Sequence, residues 1–229
     1  SVQSSLVMYP IWQYGSEEQK RRWLPAMAKG EKIGCSGLTE PNHGSDVASM
    51  RSLAKRTTGG YILNGRKTWI SQAQIADVGL IYAYTEPEKK QRGMTCFLID
   101  LKQSKGVSTR PIEDKFGLFC SPTGEIFFED VFVPDEAVLG EVNQGFQICM
   151  AMLDGTRLSC AARAVAVGKA CLDAAARYSK ERRQFGKPIS SFQMIQADLV
   201  QMYVEHQAGW LLVMKAAASR DAGRLNNTQ

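Results

Sequence analysis

Along the first 30 residues the apolar positions recur at helical spacing, and "YGSEEQKRRWLP" carries helix start signals: Ser16 as N-cap, Glu17 and Glu18 in the first turn, Arg21 and Arg22 four residues on. The basic run reads as a solvated helix face. From about Lys32 to Leu139 the period falls to two, with "YILNGRKTWI", "VGLIYAY", "GMTCFLI" and "GEIFFEDVFV" as strand-like runs separated by Gly59-Gly60, Asn64-Gly65 and other turn signals. Many short strands at that spacing predict a small barrel or sandwich. Beyond Gly140 the helical period returns. One stripe holds Cys160, Ala164, Val167, Cys171, Ala174 and Tyr178, and another holds Phe192, Ile195, Leu199, Met202, His206 and Val213. "KERRQFGKPISS" joins them, so a helical hairpin is predicted that buries its stripes in a bundle. The chain divides on this pattern into an N-terminal helical part (1–30), a β-domain (31–140) and a helical part (141–229), with no internal repeat.

Composition narrows the function. The 229 residues suffice for one large domain or two modest ones. Net charge is +5, but the 28 Lys and Arg are interleaved with 23 Asp and Glu, which argues against nucleic-acid binding and leaves room for a small anionic ligand. Cysteines 35, 96, 120, 149, 160 and 171 form no CxxC pair, and three lie in apolar helical runs, where reduced thiols pack as small hydrophobes. A reducing compartment is expected. His43 and His206 lack metal-ligand spacing, so no metal is expected, and no phosphate-loop or Gly-x-Gly-x-x-Gly motif is present. No apolar run approaches the roughly 18 residues of a membrane span. The chain starts without Met inside a helical pattern and stops just after another, and is read as a fragment.

Four motifs carry candidate chemistry. "GLTEPNHGSD" (37–46) follows the strand-like "KIGCSGL": Gly37 and Gly44 permit close backbone approach, and Thr39 and Ser45 offer hydroxyls. It suits a flat heterocycle or a phosphate, or it is a polar turn capped by Ser45 or Asp46. "KTWIS" (67–71) puts Trp69 and Ser71 on one strand face, as a cofactor wall or as plain core. "KERRQFGKP" (180–188) places Arg182, Arg183 and Lys187 at a helix C-terminus, to cap it or to reach a pyrophosphate. In "LDGTR" (153–157), Asp154 and Arg157 share a helical face, where an ion pair between them is the plain reading.

Taken in order, "GLTEPNHGSD", "LNGRKTWIS", "LDGTR" and "ERRQFGKPI" resemble the acyl-CoA dehydrogenase family over essentially the whole chain. "SVQSSLVM", "YGSEEQ" and "GLTEPNHGSD" are most similar to its glutaryl-CoA branch, and "LDGTRLSCAA" to the general short- and medium-chain enzymes. The resemblance implies an α+β fold with N-terminal helices, a central antiparallel β-barrel or sandwich domain and a C-terminal four-helix bundle, assembled as a homotetramer (a dimer of dimers) with one FAD per subunit. It implies that Leu38, Thr39, Gly44 and Ser45 line the flavin, that Trp69, Ile70 and Ser71 flank its ring, and that Arg182, Gln184, Phe185 and Gln193 reach the FAD of a neighbouring subunit. Ser45, Asp154 and Arg157 are implied on the substrate side.

The implied reaction is α,β-dehydrogenation of a short-chain acyl-CoA, glutaryl-type dicarboxylic thioesters included, with electrons passed to an electron-transfer flavoprotein. A carboxylate removes the α-proton while the β-hydride goes to flavin N5. The resemblance puts that Glu beyond residue 229, because the alternative family position is Thr156 here, so no catalytic base is expected within the chain. Phe119 stands where many relatives carry Arg. Rivals of the same fold are an acyl-CoA oxidase, an acyl-carrier-protein-linked dehydrogenase, and a catalytically silent acyl-CoA- or flavin-binding homologue.

Overall fold

A computed structural model of the chain describes residues 2–224. Its packing divides into two compact units after Leu153. The first unit opens with a π-helical stretch, Val2–Met8, that runs into α1 (Tyr9–Tyr14). α2 (Glu17–Ala28) starts with a reciprocal capping box: Gln19 N donates to Ser16 Oγ at 3.1 Å, and Ser16 N donates to Gln19 Oε1 at 3.0 Å. Arg21 is solvated, whereas Arg22 lies over Trp23 and reaches Asp100, so the basic run is only partly a free face.

The strands are β1 (Gly34–Gly37), β2 (Leu53–Thr57), β3 (Gly60–Ser71), β4 (Val78–Tyr84), β5 (Met94–Asp100), β6 (Val107–Pro111) and β7 (Thr123–Pro134), joined in one sheet. That sheet is mixed, which corrects the antiparallel expectation: β1 and β2 both run parallel to β4. The cause is the connection. A tight hairpin enforces antiparallel neighbours, but β1 leads into the long 38–52 segment, and an alternating pattern carries no direction. β5 pairs along the whole of β4. β1 and then β2 follow one another along the other edge of β4, and the 38–52 segment leaves the sheet between them.

Asn64-Gly65 is not a turn. Both residues lie inside β3, where the register against β7 slips between Leu63 and Gly65. A Cβ on Gly65 would sit 2.3 Å from Ser52 Oγ, so glycine is needed for close approach and not for chain reversal. The reversal falls at Gly59, whose φ is +75°.

β4 is buried on both faces, which explains its unbroken apolar run. Val78, Leu80 and Tyr82 face a core shared with Val7, Ile11, Trp23, Met27, Leu139 and Ile148. Ile81 and Ala83 face a second core with Tyr61, Leu63, Phe97, Ile126 and Phe128.

The long helix α3 (Gly145–Glu181) crosses the division, and α4 (Gln193–Asp221) follows the short strands β8 (Arg183–Gln184) and β9 (Lys187–Pro188). Within the second unit a Cβ on Gly209 would lie 3.2 Å from Val165 Cγ2, and one on Gly155 would lie 3.0 Å from the Arg220 guanidinium, so the two helices run antiparallel in close contact. The α4 stripe is as expected, with Phe192, Ile195, Leu199, Met202, His206 and Val213 all half-buried. The α3 stripe is corrected. Cys160, Ala164, Val167, Cys171, Ala174 and Tyr178 are exposed, and the side turned inward carries Leu158, Val165, Leu172 and Ser179, seven residues apart. α3 is apolar nearly all round, so its sequence offers several equivalent stripes and only a partner selects one.

Candidate active site at the loop after the first strand

The loop is built around one buried charge. Glu40 and His43 exchange backbone hydrogen bonds of 3.2 and 3.1 Å, closing a turn with Pro41 in its bend. This turns the Glu40 side chain inward, where it is 5% exposed. Its carboxylate accepts from Arg51 N at 2.6 Å, Ser52 N at 2.9 Å, Ser52 Oγ at 2.6 Å and Lys67 Nζ at 2.8 Å. Lys67 is itself fully buried and also donates to Leu38 O at 3.4 Å.

Burial pushes the Glu40 carboxyl up, but the Lys67 ammonium and the three other donors win and hold it below the usual range. Burial pulls the Lys67 ammonium down, with Glu40 opposing. A buried pair of this kind adds little net stability but is expensive to break, and it fixes geometry. Here it joins the loop to β3, and Thr68 N donating to Thr39 O at 2.9 Å makes the second join.

β3 responds with a bulge. Lys67 pairs with Ile126 and Ile70 with Gly124, so Thr68 and Trp69 together face one residue of β7. Trp69 takes φ +57°, an uncommon value for a bulky residue, and its indole is 60% exposed. The plain-core reading of Trp69 is thereby excluded. Ile70 turns the other way, 3% exposed in the sheet core, so any ligand contact it makes runs through its backbone.

Leu38, Thr39 and Ser71 are half-buried beside this bulge, and Gly44 and Ser45 are exposed. Among the described residues the hydroxyls of Thr39, Ser45 and Ser71 make no hydrogen bond, whereas those of Ser49, Ser52 and Thr68 are engaged. The turn is braced by Asp46, whose carboxylate accepts from Ser49 Oγ, and not by Ser45. An exposed indole, free hydroxyls and a backbone locked by a buried ion pair form a preorganised rim for a flat polar ring. The site holds no thiol nucleophile: burial pushes Cys35 and Cys149 up to about 12, and they pack as hydrophobes.

Three consecutive family models match the chain: the acyl-CoA dehydrogenase N-terminal domain over residues 1–31, the middle domain over 35–131 and the C-terminal domain over 143–229. The chain belongs to the acyl-CoA dehydrogenase family. It is 48% identical over 219 residues to the glutaryl-CoA dehydrogenase of Desulfococcus multivorans, covering 96% of this chain and 56% of that protein. It is 41% identical to the short-chain specific acyl-CoA dehydrogenase of Megasphaera elsdenii, covering 98% of this chain and 58% of that one. Among solved structures it resembles a glutaryl-coenzyme A dehydrogenase in complex with glutaryl-CoA, with TM-score 0.93, 45% identity and coverage of 96% and 55%. It also resembles a glutaryl-CoA dehydrogenase of Mycobacterium smegmatis in complex with FADH2, with TM-score 0.90, 36% identity and coverage of 99% and 57%. The chain thus spans little more than half the length of these relatives.

The remaining acyl-CoA dehydrogenase motifs lie in the second unit. α3 ends at Glu181, and Arg183 and Lys187 sit on opposite strands of a small hairpin, which corrects their placement on the helix end. Its two turn residues, Phe185 and Gly186, have φ +50° and +77°, and Phe185 is 90% exposed. Gln184 and Gln193 are exposed nearby, and Arg182 leaves the helix just before the hairpin. Asp154 and Arg157 pair with each other at 2.7 Å, as the plain reading has it. Among the described residues no cluster of potential metal ligands occurs, and no helix is long and apolar enough to cross a membrane.

No sequence pattern assigns Lys67, Ser52 or Arg51 to the site. Lys67 stands between Arg66 and Thr68 in a polar stretch that reads as solvated, and nothing in the sequence links it to Glu40.

Proposed function

We propose that the whole protein is an FAD-dependent acyl-CoA dehydrogenase that converts a short-chain acyl-CoA, glutaryl-type thioesters included, to the 2-enoyl-CoA. The observation that carries this reading is the Trp69 bulge, with its exposed indole and the unengaged hydroxyls of Thr39 and Ser71 set on a backbone pinned by the Glu40–Lys67 pair. The names of the relatives, glutaryl-CoA and short-chain enzymes, and the FADH2-bound neighbour support the substrate class and the cofactor.

In this reading Leu38, Thr39, Gly44 and Ser45 hold the flavin edge, Trp69 and Ser71 wall its ring, and the Ile70 backbone completes the strand edge. When bound, FAD supplies the hydride acceptor for the acyl β-carbon. Arg182, Gln184, Phe185 and Gln193 serve the FAD of a neighbouring subunit in a homotetramer, where a guanidinium suits a pyrophosphate. Ser45, Asp154 and Arg157 face the substrate.

Glu40 is not the base in this proposal, because its carboxylate already accepts four hydrogen bonds and is 5% exposed. The base is a Glu of the whole protein outside residues 1–229. Electron-transfer flavoprotein is the proposed acceptor, and the division 1–30, 31–140 and 141–229 is the proposed domain plan.

The test uses the purified whole protein. Yellow protein that releases flavin on denaturation and bleaches anaerobically with butyryl-CoA or glutaryl-CoA is expected. Colourless protein that takes up no added FAD overturns the reading. Fast reoxidation of the reduced flavin by oxygen would instead identify an oxidase.

A further inference from the structure

We propose that Glu125 is a positioning residue for Trp69, acting through Thr68. The proposal rests on the flavin reading of Trp69 given above.

Glu125 is the residue of β7 that faces the bulge, set between the Lys67–Ile126 and Ile70–Gly124 pairs. It is 4% exposed, and its carboxylate gathers donors from three directions. Oε1 accepts from Arg66 Nε at 3.0 Å, from Arg66 Nη2 and from Thr68 Oγ1 at 3.3 Å. Oε2 accepts from Arg110 Nε at 2.8 Å and from Arg110 Nη2. Both guanidiniums also lie against the Phe127 ring, 5.1 and 5.8 Å from its centre, which fixes their planes.

Packing alone would ask for an apolar residue at this place, because a buried carboxylate destabilises unless donors surround it. What the carboxylate adds is a rigid acceptor for the first residue of the bulge. Thr68 is then held on both sides, by its N–H donating to Thr39 O at 2.9 Å and by its hydroxyl donating to Glu125. With Thr68 fixed, the next residue has little freedom. Trp69 is held at φ +57° with its indole outward, a strained conformation that persists only where the surroundings over-determine it. Glu40 fixes Lys67, the residue before the bulge, from the loop side, and Glu125 fixes the bulge itself from the β7 side.

The experiment compares Glu125→Ala, Glu125→Gln and Thr68→Val in the whole FAD-loaded protein. Three quantities are read: amide hydrogen exchange over residues 66–71, the FAD dissociation constant, and the shape of the visible flavin absorption band. Glu125→Ala should exchange about tenfold faster at 66–71 with β4 unchanged, as expected for a local opening. It should also bind FAD about tenfold more weakly with an altered flavin band. Glu125→Gln keeps an oxygen for Thr68 and should stay within about threefold of the parent in FAD affinity. Thr68→Val keeps both ion pairs and removes only the hydroxyl, and it should reproduce the flavin change, which also decides the matter if Glu125→Ala does not fold.

Faster exchange in Glu125→Ala or Thr68→Val with FAD affinity and flavin band unchanged would make Glu125 a sheet stabiliser only and overturn the proposal. Unchanged exchange overturns it outright. If the parent protein binds no flavin, the functional reading fails, while exchange at 66–71 still decides whether Glu125 holds the bulge.

Discussion

Lys67 and Glu40 show how one buried pair of residues fixes the backbone of a loop whose Thr39 and Ser45 side chains stay unengaged. Neither is exposed, and four donors converge on one carboxylate. Lys67→Met leaves a buried carboxylate without its counter-charge and is expected to destabilise the protein by about 3–5 kcal/mol. The double variant Lys67→Met/Glu40→Gln removes the orphaned charge and should recover more than half of that loss. Urea unfolding of the parent, both single variants and the double variant measures this, and additive losses would show that the two groups are not coupled. Arg182 is the other residue whose role separates readings. If it serves a neighbouring subunit's flavin, Arg182→Ala should lower FAD retention and tetramer stability together. Full FAD occupancy with unchanged size in gel filtration would leave it as a helix-end cation only.

At the scale of elements, β3 joins the site to the core. Its pairing with β7 is irregular at two places: at Asn64 the extra residue is on β7, where Glu129 and Asp130 face it and Asp130 takes φ +49°, and at Thr68-Trp69 the extra residue is on β3. Gly65 lies against Ser52, which is itself a donor to Glu40. Gly65→Ala would put a Cβ 2.8 Å from the Ser52 backbone, so Ser52 must move. We expect a stability loss of about 1–3 kcal/mol, as for other overpacked sites, together with weaker FAD retention, read by thermal melting and flavin content. Loss of stability with full flavin content would show that the second join, Thr68 N to Thr39 O, holds the loop alone. The helical hairpin shows the opposite case. Neither helix has a single apolar face: α4 leaves Val200, Tyr203, Trp210 and Leu211 exposed beside its packed stripe, and Ala, Val, Cys and Leu surround α3, so periodicity located the packed stripe in α4 and missed it in α3.

For the whole molecule, pH dependence follows from carboxylates held by donors. Glu40 and Glu125 and the Asp77 carboxyl are each pushed up by burial, and each is brought below its usual value by stronger opposing contacts: Lys67 for Glu40, Arg66 and Arg110 for Glu125, Ile33 N and Lys32 for Asp77. The unfolded chain therefore binds protons at these groups before the folded one does, so stability rises with pH through this range. Their contribution is complete above the ordinary carboxylate values of about 4 and is lost as pH falls through the lower folded values. Unfolding midpoints between pH 7 and pH 2 should be flat to about pH 5 and then fall, and Glu125→Gln should flatten the fall. A midpoint indifferent to acid would show that these groups titrate alike in both states.

The sequence by itself determined the order helix, strands, helix and the motifs that mark the acyl-CoA dehydrogenase family, because these depend on periodicity and on residues adjacent in the chain. Tertiary structure alone decided the parallel pairings of β4, the face of α3 that packs, the turn of Glu40 into the interior, and the meeting of Lys67 with Glu40 and of Glu125 with Thr68. Those depend on which distant segments become neighbours, and a buried charge reveals its partner only when the fold brings the two together and removes the water between them.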